Sequence, residues 1–111
     1  MKINYNYLHQ EFAQPNEIIK EWKKLIKSTD FTLGKYVAQF ESSFSKFIGS
    51  KYCISTNNGT DALILCLKAL NIKPGDEVIT VANTFYATIG AIVAVGATPV
   101  FCDCDERYQI D

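Results

Sequence analysis

The sequence predicts an α/β protein, with parallel strands covered by helices on both faces, and three observations carry that expectation. From Tyr52 onward, short β-branched or aromatic runs alternate with longer apolar runs: Tyr52 to Thr56, Ala62 to Leu70, Glu77 to Val81, Asn83-Thr84 to Val95, and Thr98 to Cys102. Strong turn residues, Lys73-Pro74-Gly75-Asp76, separate the first helix of this series from the second strand. Hydrophobic residues make up 48% of the 111 residues and aromatic ones 13%, which suits one modest core and not a disordered tail. Strands alternating with helices of this length are the pattern of parallel sheets in layered folds.

Taken in order, the chain opens on a polar arm containing tyrosines. His9, the only histidine, sits in this irregular arm without a Ser or Cys partner nearby. Pro15 and Asn16 introduce a helix in which Ile18, Ile19, Trp22, Leu25 and Ile26 recur at helical spacing. Lys20, Lys23, Lys24 and Lys27, with Glu17 and Glu21, cover the other side as a solvated face. Ser28-Thr29-Asp30 ends that helix, and Phe31-Thr32-Leu33-Gly34 connects it to a second amphipathic helix. Val37, Phe40, Phe44, Phe47 and Ile48 mark the buried face of the second helix, and Gly49 is its C-terminal stop. Residues 1–50 thus form an arm with two amphipathic helices, and residues 51–111 begin an α/β domain.

Asn57-Asn58-Gly59-Thr60-Asp61-Ala62-Leu63 joins the first strand to the next helix, with Gly59 at the tightest point of the turn. Two readings of it stand side by side. Unpaired backbone N–H groups, the positive end of the helix dipole and the Thr60 hydroxyl suit a phosphate. Equally, Asn58 suits an N-cap and Asp61, three residues on, completes a capping arrangement. Neither the dinucleotide fingerprint nor the P-loop is present, since both need more glycines.

Composition excludes several classes of function. A net charge of -1 with a pI near 5.8 gives no electrostatic footprint for nucleic acid or an anionic membrane. Met1 to Asn6 contains no apolar core of a secretory signal, so cytoplasmic residence is expected. Ala87 to Phe101 is apolar but broken by Gly90, Gly96 and Pro99, and falls short of a bilayer span. The four cysteines are expected as reduced thiols. Cys102 and Cys104 are too close for the usual zinc spacing and have no second pair, so no metal site is expected. With one histidine, no histidine-based triad can be assembled.

Parallel strands present their carboxyl ends at one edge, where open α/β sheets bind ligands. Three turns therefore meet on one rim: Gly59 and Thr60; Asn83, Thr84, Phe85 and Tyr86; and Asp103, Cys104 and Asp105. A phosphate-friendly helix start beside an aromatic residue suggests a flat, phosphorylated ligand. For the individual residues the plainer readings are core packing for Phe85 and a turn role for Asp103.

Thr32-Leu33-Gly34 followed by Phe40-Glu41, then NNGTDALILCLKAL, KPGDEVITVANTFYAT and GATPVFCDCD, resembles the DegT/DnrJ/EryC1/StrS family of pyridoxal-phosphate-dependent sugar aminotransferases. The resemblance covers nearly the whole chain with its motifs in order. It implies the N-terminal part of the aspartate-aminotransferase fold (fold type I), with pyridoxal 5'-phosphate as cofactor. It also implies amino transfer, commonly from glutamate, to a nucleotide-linked keto sugar by a cytoplasmic homodimer. Matched residue by residue, the phosphate-binding turn falls on Gly59, Thr60 and the backbone of Asp61, and the ring-stacking aromatic on Phe85. Cys102 and Cys104 stand where related sequences carry small apolar residues, a departure assigned to core packing. The family's Schiff-base lysine and the aspartate that pairs with the pyridine nitrogen have no equivalent here; Lys51, Lys68 and Lys73 lie outside the lysine motif. No catalytic residue is therefore assigned, and the chain reads as an inactive N-terminal fragment with an unfilled sheet. A sugar dehydratase of the same family is the nearest rival, and a non-catalytic module holding a phosphorylated small molecule is a rival of another class.

Overall fold

The computed structural model describes Ile3 and residues 5–111. The absence of a signal-like run in Met1 to Asn6 concerns in part Met1, Lys2 and Asn4, which lie outside the described residues. The chain divides into two compact units, Met1–Ile54 and Ser55–Asp111.

In the first unit, Leu8–Glu11 forms a one-turn helix, α1, so His9 is helical rather than irregular. A single turn offers no periodicity to read. Helix α2, Asn16–Ser28, follows Pro15 and ends where Thr29 turns into the left-handed region at φ 53°. Its apolar stripe of Ile18, Ile19, Trp22 and Ile26 stays largely exposed. Helix α3, Lys35–Ile48, begins after Gly34 and is held there by Asp30, whose carboxylate accepts from the Lys35 N–H at 2.9 Å. A Cβ at Gly34 would collide with that carboxylate. The helix stops at Gly49, φ 72°, with Gly49 N–H donating to Lys46 O and Ser50 N–H to Ser45 O. These paired bonds satisfy the last carbonyls in the manner of a Schellman motif. Along α3, Phe40 and Phe44 stack with centroids 5.5 Å apart. On α2 the Lys24 ammonium donates to Glu21 at 2.6 Å and holds that exposed carboxyl below its ordinary pKa, helped by a bond from the Tyr36 hydroxyl.

The second unit contains α4 (Gly59–Ala69), β1 (Glu77–Val81), α5 (Tyr86–Ala94) and β2 (Thr98–Cys102). The two strands pair in parallel, Glu77 opposite Thr98 through Val81 opposite Cys102. Helix α5 is the crossover between them. It packs on α4 and on both strands, and the core is Ile92, Val95 and Ala97 with Ile64, Leu67, Ile72 and Val78 around them. Both helices end as α3 does: Asn71 (φ 60°) and Gly96 (φ 83°) take the left-handed position, with Ile72 N–H donating to Leu67 O and Ala97 N–H to Ile92 O. The Lys73-Pro74-Gly75-Asp76 turn closes with Asp76 N–H on Lys73 O and Lys73 N–H on the Asp76 carboxylate.

Two local expectations differ from the structure. Residues 52–56 form no strand: Tyr52 and Ile54 are 72% and 79% exposed, and none of the five is paired in a ladder among the described residues. A strand exists only through its ladder, so a β-prone run without a neighbour remains extended coil. Helix α4 begins at Gly59 rather than near Ala62, because Asn58 caps it three residues earlier. Gly59 accordingly lies inside the first turn and not at a strained bend.

Candidate functional site

At the start of α4 the Asn58 backbone is extended (φ -160°, ψ 175°), and its side-chain oxygen accepts from the Asp61 N–H at 2.9 Å. The Asn58 amide returns a bond to the Asp61 carboxylate at 3.1 Å. The capping arrangement legible in Asn58 and Asp61 therefore exists. It does not consume the helix terminus. Asn58 O takes the Ala62 N–H, and the N–H groups of Gly59 and Thr60 find no acceptor among the described residues. Thr60, partly buried, belongs to the same first turn. Two open backbone donors and a positive dipole end are left at the start of the helix.

Glycine at position 59 has no explanation in the fold. It does not adopt a positive φ, and a Cβ there would meet nothing within 4 Å. Glycine in the first turn of a helix weakens it relative to alanine, so its presence fits a position where another group must approach the backbone closely.

The second turn precedes α5. Phe85 occupies the N-cap position without a side-chain cap (φ -67°, ψ 139°), and its ring is 67% exposed. Tyr86 lies against it, centroids 4.3 Å apart at 47°. Phe85 is thus a surface ring, not a core residue. The helix begins two residues later than the sequence suggests because Thr84 closes a tight turn onto Ala82 O and spends its hydroxyl on Thr88, 3.0 Å away. That threonine pair is a feature sequence reasoning missed; its only signal is the spacing of two hydroxyl residues one helical turn apart across a helix start.

The third turn is largely self-satisfied. Asp103 accepts from Cys104 N–H, and Asp105 accepts from the N–H groups of Arg107 and Gln109. A bridge between Cys104 and Ile110 closes the loop. Cys102 is half-buried with its thiol 3.6 Å from Thr80 O.

Leu63, one turn into α4, and Thr88, in the first turn of α5, line one cavity of about 190 Å³ together with Thr80 near the carboxyl end of β1. Helix α5 starts beyond the carboxyl end of β1, whereas Lys68 lies in the last turn of α4 and Lys73 in the turn before β1. The described residues hold no cluster of three or more metal-ligating side chains, and no helix among them is long and apolar enough to cross a membrane.

The chain spans about a quarter of the length of the curated relatives it matches. It is 47% identical over 91 residues to the spore coat polysaccharide biosynthesis protein SpsC of Bacillus subtilis, covering 82% of this chain and 23% of that protein. It is 45% identical over 96 residues to the dTDP-3-amino-3,6-dideoxy-alpha-D-galactopyranose transaminase of Aneurinibacillus thermoaerophilus, covering 86% and 26%. Among solved structures, a DegT DnrJ EryC1 StrS aminotransferase from Brucella abortus superposes with a TM-score of 0.91 at 32% identity, over 99% of this chain and 30% of that one. The E. coli GDP-4-keto-6-deoxy-D-mannose-3-dehydratase, solved with bound hydrated PLP, superposes at 0.76 with 33% identity, over 84% and 26%. These neighbours make the α/β unit part of a fold type I domain. The family profile itself matches residues 13–111, and the chain belongs to the DegT/DnrJ/EryC1/StrS aminotransferase family.

Proposed function

We propose that this chain is the N-terminal part of a pyridoxal-phosphate-dependent aminotransferase that moves an amino group, from glutamate, onto a nucleotide-linked keto sugar. The observation that carries the reading is the pair of acceptor-free N–H groups at Gly59 and Thr60, beside a glycine that the fold itself does not require. In this reading Gly59 and Thr60 hold the cofactor phosphate through their N–H groups and the Thr60 hydroxyl. Asp61 belongs to the same turn; its N–H joins the phosphate only by exchanging the Asn58 acceptor. Phe85 covers one face of the pyridine ring. When bound, pyridoxal phosphate supplies the electron sink that amino transfer needs.

The residues of this chain bind and orient, and none of them moves a proton. Lys68 lies in the last turn of α4, Lys73 in the turn that follows it, and the Lys51 ammonium lies over the Tyr52 ring, 5.1 Å from its centroid. The 111-residue chain by itself is accordingly proposed to be inactive. Residues 1–50 serve as arm and helices, and residues 51–111 as the start of the cofactor domain. The whole protein is proposed to be a cytoplasmic homodimer.

The test is to express the protein from its complete reading frame and incubate it with pyridoxal phosphate, glutamate and a nucleotide-linked keto sugar. Equal amounts of 2-oxoglutarate and amino sugar are expected. The similarity to a 3-dehydratase favours one rival, and a deoxygenated sugar as product would establish it. Cofactor binding without any turnover would favour the non-catalytic module.

A further inference from the structure

The start of α5 carries an arrangement that cofactor binding alone does not explain. A phenylalanine stands at the N-cap, where it has no oxygen to offer the first-turn N–H groups. On either side of it are Thr84 and Thr88, with hydroxyls 3.0 Å apart, either of which can donate. Thr84 N–H also closes onto Ala82 O at 2.9 Å, and Thr88 N–H onto Phe85 O at 3.0 Å. Phe85 is thereby clasped between a closed turn and the first turn of the helix. Thr88 is partly buried and shares its cavity with Leu63, Thr80 and Ile92, whereas the Phe85 and Tyr86 rings are exposed. A largely exposed ring takes its direction chiefly from its backbone, and that backbone is tied to the partly buried Thr88.

We propose that Thr88 is a positioning residue: its hydroxyl contact with Thr84 fixes the turn that presents Phe85 to the cofactor ring. The proposal rests on the reading of Phe85 as the stacking platform. Its test uses the complete protein and three variants, Thr88→Val, Thr88→Ser and Phe85→Ala. The readouts are the Kd for pyridoxal phosphate by absorbance titration, the induced circular dichroism of the bound cofactor as a report of ring orientation, and the Tm of the apo form. Thr88→Val is nearly isosteric and keeps β-branching while losing the hydroxyl. It should raise Kd about threefold to tenfold, the worth of one hydrogen bond, and reduce the induced dichroism. Thr88→Ser should stay close to the parent in both. An unchanged Kd and dichroism in Thr88→Val, with Phe85→Ala weakened, overturns the inference and leaves the platform standing. An unchanged Phe85→Ala overturns the platform and the inference with it. If Thr88→Ser is as weak as Thr88→Val although it keeps the hydroxyl, the hydroxyl does not suffice to hold the turn and the latch is refuted.

Discussion

The turn at Asn58 shows one short segment meeting two demands. Asn58 and Asp61 satisfy one another and terminate the helix, and because they do so through the Asp61 N–H, the Gly59 and Thr60 donors stay open. The capping pair was legible in the residues themselves; that it leaves two donors unspent depends on where the helix begins. If Thr60 holds the cofactor phosphate as proposed, Thr60→Ala removes a charge-assisted hydrogen bond of roughly 1.5–3 kcal/mol and should weaken retention of pyridoxal phosphate in the complete protein by about tenfold to a hundredfold. Equilibrium dialysis of the cofactor, set beside melting of the apo form, checks it; a loss confined to apo Tm would return Thr60 to a purely helical role. Gly59→Ala makes a sharper forecast. Its Cβ meets open space, so apo stability should hold or rise slightly through better helix propensity, while cofactor affinity falls by about tenfold as the methyl enters the approach to the backbone. Equal affinity in this variant would mean that nothing needs that space.

Helix ends and strand bounds follow from local chemistry to different extents. The strands Glu77–Val81 and Thr98–Cys102 coincide with the expected runs because turn residues flank both. Gly49 stops α3 as its position suggests. The start of α5 was not legible, since Thr84 is the better capping residue by preference and yet lies outside the helix, spending its hydroxyl on Thr88. Residues 52–56 have the composition of a strand, but pairing is a property of neighbours and cannot be read from the run alone. At the end of α5, Gly96 has two reasons to be glycine: its φ of 83° and a Cβ position only 2.7 Å from Pro74 Cγ. Gly96→Ala should therefore destabilise the protein by about 1–3 kcal/mol, visible in urea unfolding, with cofactor affinity unchanged. A variant as stable as the parent would mean that the Pro74 turn yields at little cost.

For the molecule as a whole, the fold class was legible because the change from helical spacing to alternating strand and helix falls near the boundary between the two units. What the sequence does not reveal is how little these residues bury. Trp22, Phe47, Ile79 and Phe101 stay more than half exposed, and α2 and α3 contain no buried residue. The 111-residue chain in isolation should consequently associate, giving a sedimentation coefficient that rises with concentration; a monodisperse monomer with a sharp melting transition would contradict this. The pairing of β1 with β2 has a separate bearing on kinetics. Each strand residue finds its partner only about twenty positions along the chain, across a single helix, so closing the sheet needs a short loop and little search. During synthesis this pair can assemble soon after Cys102 leaves the ribosome, so the edge that carries Phe85 can gain its scaffold early.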